Sequence, residues 1–237
     1  MKRAVGIIVI LAASACSSSS GKTVTQTGRT IQYVPCNNDP PAVAGATVTV
    51  GSRSVTTAKD GTYSIEVPAD EPFSMQVTKT SDPTYVRLIE ADDTASTNYN
   101  RGDTKLIDTP TATLLSSALP NYDATKALLT LELVKTGSCT DLGGTTITVT
   151  PSNADALVQY PASCITPVGT NAYVTEGIFP SAVVYNLAPG KPTVTATSPK
   201  CTQIPFPYTD PTTGLTYDGT VTTEGGQGTS FLRVFMK

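Results

Sequence analysis

The sequence predicts an all-β protein: two antiparallel β-sandwiches in tandem, joined by a connector with one short helix. Three observations predict it. Thr (41) and Ser (19) make up a quarter of the 237 residues and are joined by 18 Gly and 18 Pro, a composition suited to short strands separated by turns. Alternating apolar and polar residues recur in short, turn-bounded runs along the chain. The chain also echoes itself: Gly45-Ala46-Thr47-Val48-Thr49-Val50 returns as Gly144-Thr145-Thr146-Ile147-Thr148-Val149, each copy after a polar turn and before a strand pattern.

A second echo lies downstream of each. Tyr63 to Pro68 followed by Phe73 to Val77 is matched in style by Val183 to Gly190 followed by Pro192 to Ala196. The spacing grows by roughly twenty residues in the second copy, which places an insertion at about 152–176.

Residues 1–15 read as a secretion signal. Lys2 and Arg3 supply the positive start, and Val5 to Ala13 form an apolar run too short for a permanent membrane span. At Ala13-Ser14-Ala15-Cys16 two cleavage patterns overlap, the ordinary Ala-x-Ala and a bacterial lipobox with an Ala where Leu is usual. The lipobox is favoured because it gives Cys16 a use as an acylation site, and the lipid would then hold the chain to the membrane. Ser17 rather than Asp after that cysteine points to the outer membrane in Gram-negative lipoproteins. Residues 16–27, opening with Ser17-Ser18-Ser19-Ser20-Gly21, are read as a flexible tether.

The first sandwich is expected over 28–94, with strands at Thr30 to Val34, Thr47 to Val50, Arg53 to Thr57, Tyr63 to Val67, Phe73 to Lys79 and Tyr85 to Glu90. Lys59-Asp60-Gly61-Thr62 is read as a tight hairpin turn, since Asp-Gly readily takes positive φ. The connector, 95–122, contains one helix with Thr109 as N-cap, Pro110 at the first helical position and Leu114, Leu115, Ala118 and Leu119 on one apolar side, ended by Pro120. A helix that short needs a surface to lie on, either a sandwich face or the seam between domains. The second sandwich is expected over 123–237, with strands at Ala127 to Val134, Thr145 to Thr150, Leu157 to Tyr160, Ala172 to Thr175, Ala182 to Asn186, Thr193 to Thr197, Tyr217 to Thr223 and Phe231 to Met236.

The run Ala44 to Val50, followed by Thr57-Ala58-Lys59-Asp60-Gly61-Thr62-Tyr63-Ser64-Ile65 and a Pro-containing turn, resembles the carboxypeptidase regulatory-like domain, a transthyretin-like (prealbumin-like) β-sandwich. Gly143 to Val149 and Tyr185 to Gly190 resemble a more distant member. The resemblance implies an accessory or surface domain rather than a catalytic one, because its Gly-Ala, Asp-Gly and Pro-Gly pairs are turn devices. The one enzymatic relative of similar fold, the hydroxyisourate hydrolases, relies on His and a C-terminal Tyr-Arg-Gly-Ser, whereas this chain has no His and ends Phe231-Leu232-Arg233-Val234-Phe235-Met236-Lys237.

The missing His excludes Ser-His-Asp and Cys-His nucleophile systems, His-ligated zinc and His-ligated haem. Without the signal the chain carries 14 positive and 19 negative side chains, so no basic patch recommends nucleic acid. Four exported cysteines remain, Cys36, Cys139, Cys164 and Cys201. Three disulfide connectivities are open, and position in the repeats favours Cys139–Cys201 with Cys36–Cys164 as a staple between domains. A zinc site is disfavoured by the absence of any Cys-x-x-Cys pair. No motif brings two of the six Glu together as a glycosidase needs, and Asp92, Asp93 and Asp103 lack the spacing of a calcium loop. No catalytic residue, metal or cofactor is expected.

Candidate contact residues are Tyr160 and Tyr173, flanking the insertion and able to stack on a sugar, and Phe206 and Tyr208 in the Pro-stiffened Ile204-Pro205-Phe206-Pro207-Tyr208. Each has a packing alternative: core or rim for the two tyrosines, and a loop folded over the open edge of the second domain for the other pair. The expectation is a non-catalytic envelope lipoprotein, held at the outer membrane through its lipid and engaging another envelope protein or a surface polymer. Carbohydrate binding and an accessory role in a surface filament or outer-membrane transport complex are the alternatives.

Overall fold

The structure is a computed structural model that describes residues 21–37, 39–153, 155–163, 169–170, 172–173, 179–226 and 228–237. The signal sequence, Cys16 and Cys164 lie outside them.

In chain order the elements are β1 (Thr23–Gln32), β2 (Thr47–Val50), β3 (Arg53–Thr56), β4 (Thr62–Pro68), β5 (Met75–Lys79), β6 (Tyr85–Glu90), β7 (Asp93–Thr94), β8 (Tyr99–Leu106) and the helix α1 (Thr109–Ser117). They continue with β9 (Ala127–Lys135), β10 (Thr146–Thr150), β11 (Leu157–Pro161), β12 (Gly169–Thr170), β13 (Ala182–Leu187), β14 (Thr193–Thr197), β15 (Tyr208–Thr209), β16 (Thr216–Tyr217) and β17 (Gly228–Met236). The protein is all-β apart from α1. Strands such as β4 and β10 bury every second residue and leave Thr, Ser or Glu outside, the period-2 pattern of a half-buried sheet.

The echoed segments start their strands alike. Gly45 donates its N–H to the Thr57 carbonyl (3.1 Å) and Thr57 returns one to Ala46 (2.8 Å); Gly144 donates to Tyr173 (2.8 Å) and Tyr173 to Thr145 (2.9 Å). Both glycines sit at positive φ, 71° and 82°, where a side chain would be strained. Strand pairing repeats too. β1 lies antiparallel to β4 and parallel to β8, as β9 lies antiparallel to β13 and parallel to β17; β2 pairs with β5 as β10 pairs with β14.

The two halves share a sheet. β6, from the first half, pairs in parallel with β17, which pairs in parallel with β9 on its other side. One nine-stranded sheet results, in the order β12-β11-β13-β9-β17-β6-β5-β2-β3. Because side chains alternate along a strand, β17 feeds two cores. Phe231 and Phe235 enter the first, with Val48, Val77, Leu88 and, from the sheet β4-β1-β8, Ile65 and Leu106; Leu232, Val234 and Met236 enter the second, with Leu129, Leu131, Val184, Ile147 and Val194. The small sheets β4-β1-β8 and β10-β14 therefore cover opposite faces of the long one.

Several expectations are corrected. The sheets are mixed rather than wholly antiparallel, since β1–β8, β6–β17 and β9–β17 are parallel. Thr23 to Thr27 are strand rather than tether, paired with β4. Part of the expected connector is β8, which completes the first sandwich. The Lys59–Thr62 turn joins β3 in the long sheet to β4 in the other, so it passes between sheets instead of closing a hairpin. Asp108, not Thr109, caps α1, its carboxylate accepting from the Thr111 N–H at 2.7 Å. Of Tyr217 to Thr223 only Tyr217 is in a named strand, β16, and Ala172 to Thr175 falls largely outside the described residues.

Candidate functional site

Where β17 joins the halves, two adjoining chambers open on the sheet face that carries Phe231 and Arg233. The first, of about 250 Å³, lies between α1, through Ala112, Leu115 and Ser116, and the β9 and β13 residues Leu128, Thr130 and Val183. Its walls are predominantly apolar. The second, of about 240 Å³, is charged: Asp103 and Lys105 on β8 look towards Glu90, Glu132 and Arg233. Ile107, Thr130, Phe179 and Thr229 border both.

A bulge in β8 aims these charges. Between the pairs Thr27–Asn100 and Arg29–Asp103 one residue of β1, Gly28, stands against two of β8, Arg101 and Gly102, and Gly102 takes up the irregularity at φ 79°. Tyr99, Arg101, Thr104 and Leu106 consequently turn inwards, while Asp103 and Lys105 turn to the chamber.

Nearly every charge there is matched. The buried Arg101 guanidinium meets Glu90 at 3.1 Å and also Asp93, whose carboxyl burial raises to about 6 against the pull of Arg101. Arg233 donates to Glu132 at 3.0 Å across the β17–β9 register, and Arg29 grips Asp103 through two bonds of 2.9 and 2.8 Å. Lys105 differs. Among the described residues no carboxylate lies within ion-pair distance of it; its ammonium sits 3.9 Å from the centroid of the Phe179 ring, and burial lowers its pKa. The Tyr33 hydroxyl holds the Phe179 carbonyl at 2.8 Å, and the Phe179 ring lies 5.6 Å from that of Tyr33 and 5.7 Å from Phe231.

The residues expected at a contact surface lie elsewhere. Tyr160 and Tyr173 are buried in the second core, taking the packing alternative; the Tyr160 hydroxyl accepts the Ile147 N–H at 2.5 Å, capping β10. Phe206 and Tyr208 are half-buried against the first core rather than over the edge of the second domain, with the Tyr208 ring tilted against that of Phe235 at a centroid distance of 4.5 Å. That loop is drawn across because β15 and β16 pair onto β7. Cys139 and Cys201 form a disulfide at the edge of the second core. Cys36 is disulfide-bonded with its partner outside the described residues. Asp92, Asp93 and Asp103 go to three different cations, Lys191, Arg101 and Arg29.

Both chambers escape the sequence reading. Lys105 and Phe179 are about seventy residues apart, and the only signal was the apolar side of α1, whose Leu115 and Leu119 do line the first chamber while Leu114 stays 70 % exposed.

The fold is thus a tandem of β-sandwiches fused through one sheet. No protein-family model matches the chain, and no curated protein matches it by sequence. Among solved structures it is similar to the Bacillus anthracis TIE protein (13 % identity, TM-score 0.28, 90 % of this chain and 33 % of that one), so it spans about a third of that protein. It is also similar to the shaft pilin SpaA of Lactobacillus rhamnosus GG (9 %, 0.27, 91 % and 98 %) and to GBS52, the minor pilin of Streptococcus agalactiae (10 %, 0.25, 90 % and 95 %).

Proposed function

We propose that the chain is a non-catalytic module of the bacterial cell envelope, exported and anchored by lipid at Cys16, that acts as a structural or protein-binding scaffold. The observation that carries this is the shared strand β17. Because its two faces complete two different cores, the sandwiches form one continuous body suited to holding a surface at a fixed geometry. The charges buried at the join serve that body. Arg101 pairs with both Glu90 and Asp93 while Asp93 Oδ1 and Arg101 Nε stay without a hydrogen bond, and such pairs specify an arrangement more than they stabilise it. The repeated Gly45 and Gly144 strand starts favour two transthyretin-like units of the carboxypeptidase regulatory-like kind.

Crosslinking in the native envelope tests the scaffold, with a reproducible protein partner expected; a chain that captures none and partitions into detergent equally well after Cys16→Ser contradicts both partner and anchor. An accessory place in a surface filament or transport complex is the second reading. It is favoured by β3, whose outer edge ends the long sheet with no further strand among the described residues. Carbohydrate stacking on Tyr160 loses its basis, since that ring is buried.

A further inference from the structure

The two chambers between α1 and the shared sheet are an unassigned pair, one apolar and one charged, that meet at Phe179. We propose that they form one binding site for a small aliphatic carboxylate, a single apolar chain ending in one negative charge, with the chain under α1 and the carboxylate at Lys105. This goes beyond the scaffold reading and needs neither the lipid anchor nor a protein partner.

Charge complementarity selects the occupant. The carboxylates of the charged chamber are already taken, Glu90 by Arg101, Glu132 by Arg233 and Asp103 by Arg29, so a cationic ligand would find no free counter-ion. Lys105 is the one cation lining this chamber that makes no ion pair among the described residues. It rests on an aromatic face rather than in an ion pair, and its partial burial disfavours its charge more than Glu132 and Asp103, each committed to an arginine, offset. Phe179 then joins the halves of the site, its ring under Lys105 and its side chain bordering both chambers. The apolar wall formed by Leu115, Leu128 and Val183 takes an alkyl chain and offers a second charged group nothing.

The test uses the purified full chain carrying Cys16→Ser, so that no acyl chain competes, titrated calorimetrically with decanoate, decanol and decylamine. Decanoate is expected to bind more tightly than either, and Lys105→Met to weaken decanoate by at least about tenfold, the scale of one charge-assisted contact, while leaving decanol unchanged. Val183→Trp, which fills the chamber, is expected to abolish both. Should that variant misfold, methyl NMR of the unfilled protein replaces it, with decanoate expected to shift Leu115, Leu128 and Val183. Decanol binding as well as decanoate, Lys105→Met retaining full affinity, shifts elsewhere, or no decanoate binding up to its solubility each overturn the proposal. None of these touches the scaffold reading, which fails only in the envelope experiment.

Discussion

Gln203 closes the outer edge of β14 with its side chain: its Oε1 accepts the Ala196 N–H at 2.6 Å while its Nε2 reaches the Val194 carbonyl at 3.5 Å. Its own backbone bridges to Met236 at the end of β17, so one residue ties the two sheets of the second sandwich together. Gln203→Ala frees an edge that another strand can extend. The expected outcome is a loss of about 1 kcal/mol in urea unfolding, the net worth of a hydrogen bond, together with concentration-dependent self-association in sedimentation velocity. A variant that stays monomeric would show that the edge is guarded by something else.

Phe235 belongs by sequence to the second half but packs in the first, its ring 4.5 Å from Tyr208 and 4.7 Å from Tyr217. Phe235→Ala should destabilise by about 3–5 kcal/mol, as large-to-small core changes do. Hydrogen exchange should accelerate in β2, β5 and β6 as well as in β17. If protection is lost only after residue 123, the halves are independent.

Gly61 and Gly45 make a matched pair. Both have positive φ, 79° and 71°, but a Cβ at Gly61 would meet the Thr30 carbonyl oxygen at 2.3 Å, whereas one at Gly45 meets open space. Gly45→Ala is expected to cost about 1 kcal/mol from the left-handed backbone alone. Gly61→Ala must also break the bond from the Thr30 N–H to the Gly61 carbonyl or displace β1, so its unfolding midpoint should fall clearly further.

The Cys139–Cys201 disulfide closes a loop of 62 residues. Replacing both by Ala should lower stability by about 4 kcal/mol on chain-entropy grounds. Guanidinium unfolding of the double variant, compared with the reduced and oxidised protein, checks this.

Asp93 gives a pH signature. Its folded carboxyl titrates near 6 because it is buried, above the value of about 3.9 for an exposed Asp. A raised folded value means the folded state holds the proton longer, so the stabilising contribution is complete below about pH 4 and is lost as pH rises through 6. The stability difference between the protein and Asp93→Asn should therefore move against the wild type between pH 4 and pH 6.5. A difference that moves the other way would assign Arg101 the stronger hand.

What the chain discloses before folding depends on how local the cause is. Gly45 and Gly144 were readable because a positive-φ glycine followed by alternating Thr and Val is a property of consecutive residues. Phe231 to Met236 reads as a strand, yet nothing in it says that Phe235 and Val234 face different cores, since that depends on β6 and β9 arriving on either side. β8 escaped because the bulge at Gly102 breaks its period and puts Arg101 and Thr104 inside. Lys105 became notable only once every neighbouring carboxylate had found another partner, which is a property of the assembled charges.

The shared strand also governs how the chain reaches its native state. Gly228 pairs with Arg87 across well over a hundred residues, so the long sheet closes late, by a large non-local loop, and folding should be slow for a protein of this size. During that interval β10 and β14 are exposed ribbons of Thr-Ile-Thr-Val-Thr and Thr-Val-Thr-Ala-Thr. Threonine on the outer positions keeps one side of each ribbon wettable while the partners are still being sought. The hydroxyl-rich composition thus acts as a kinetic safeguard against aggregation as well as a strand former.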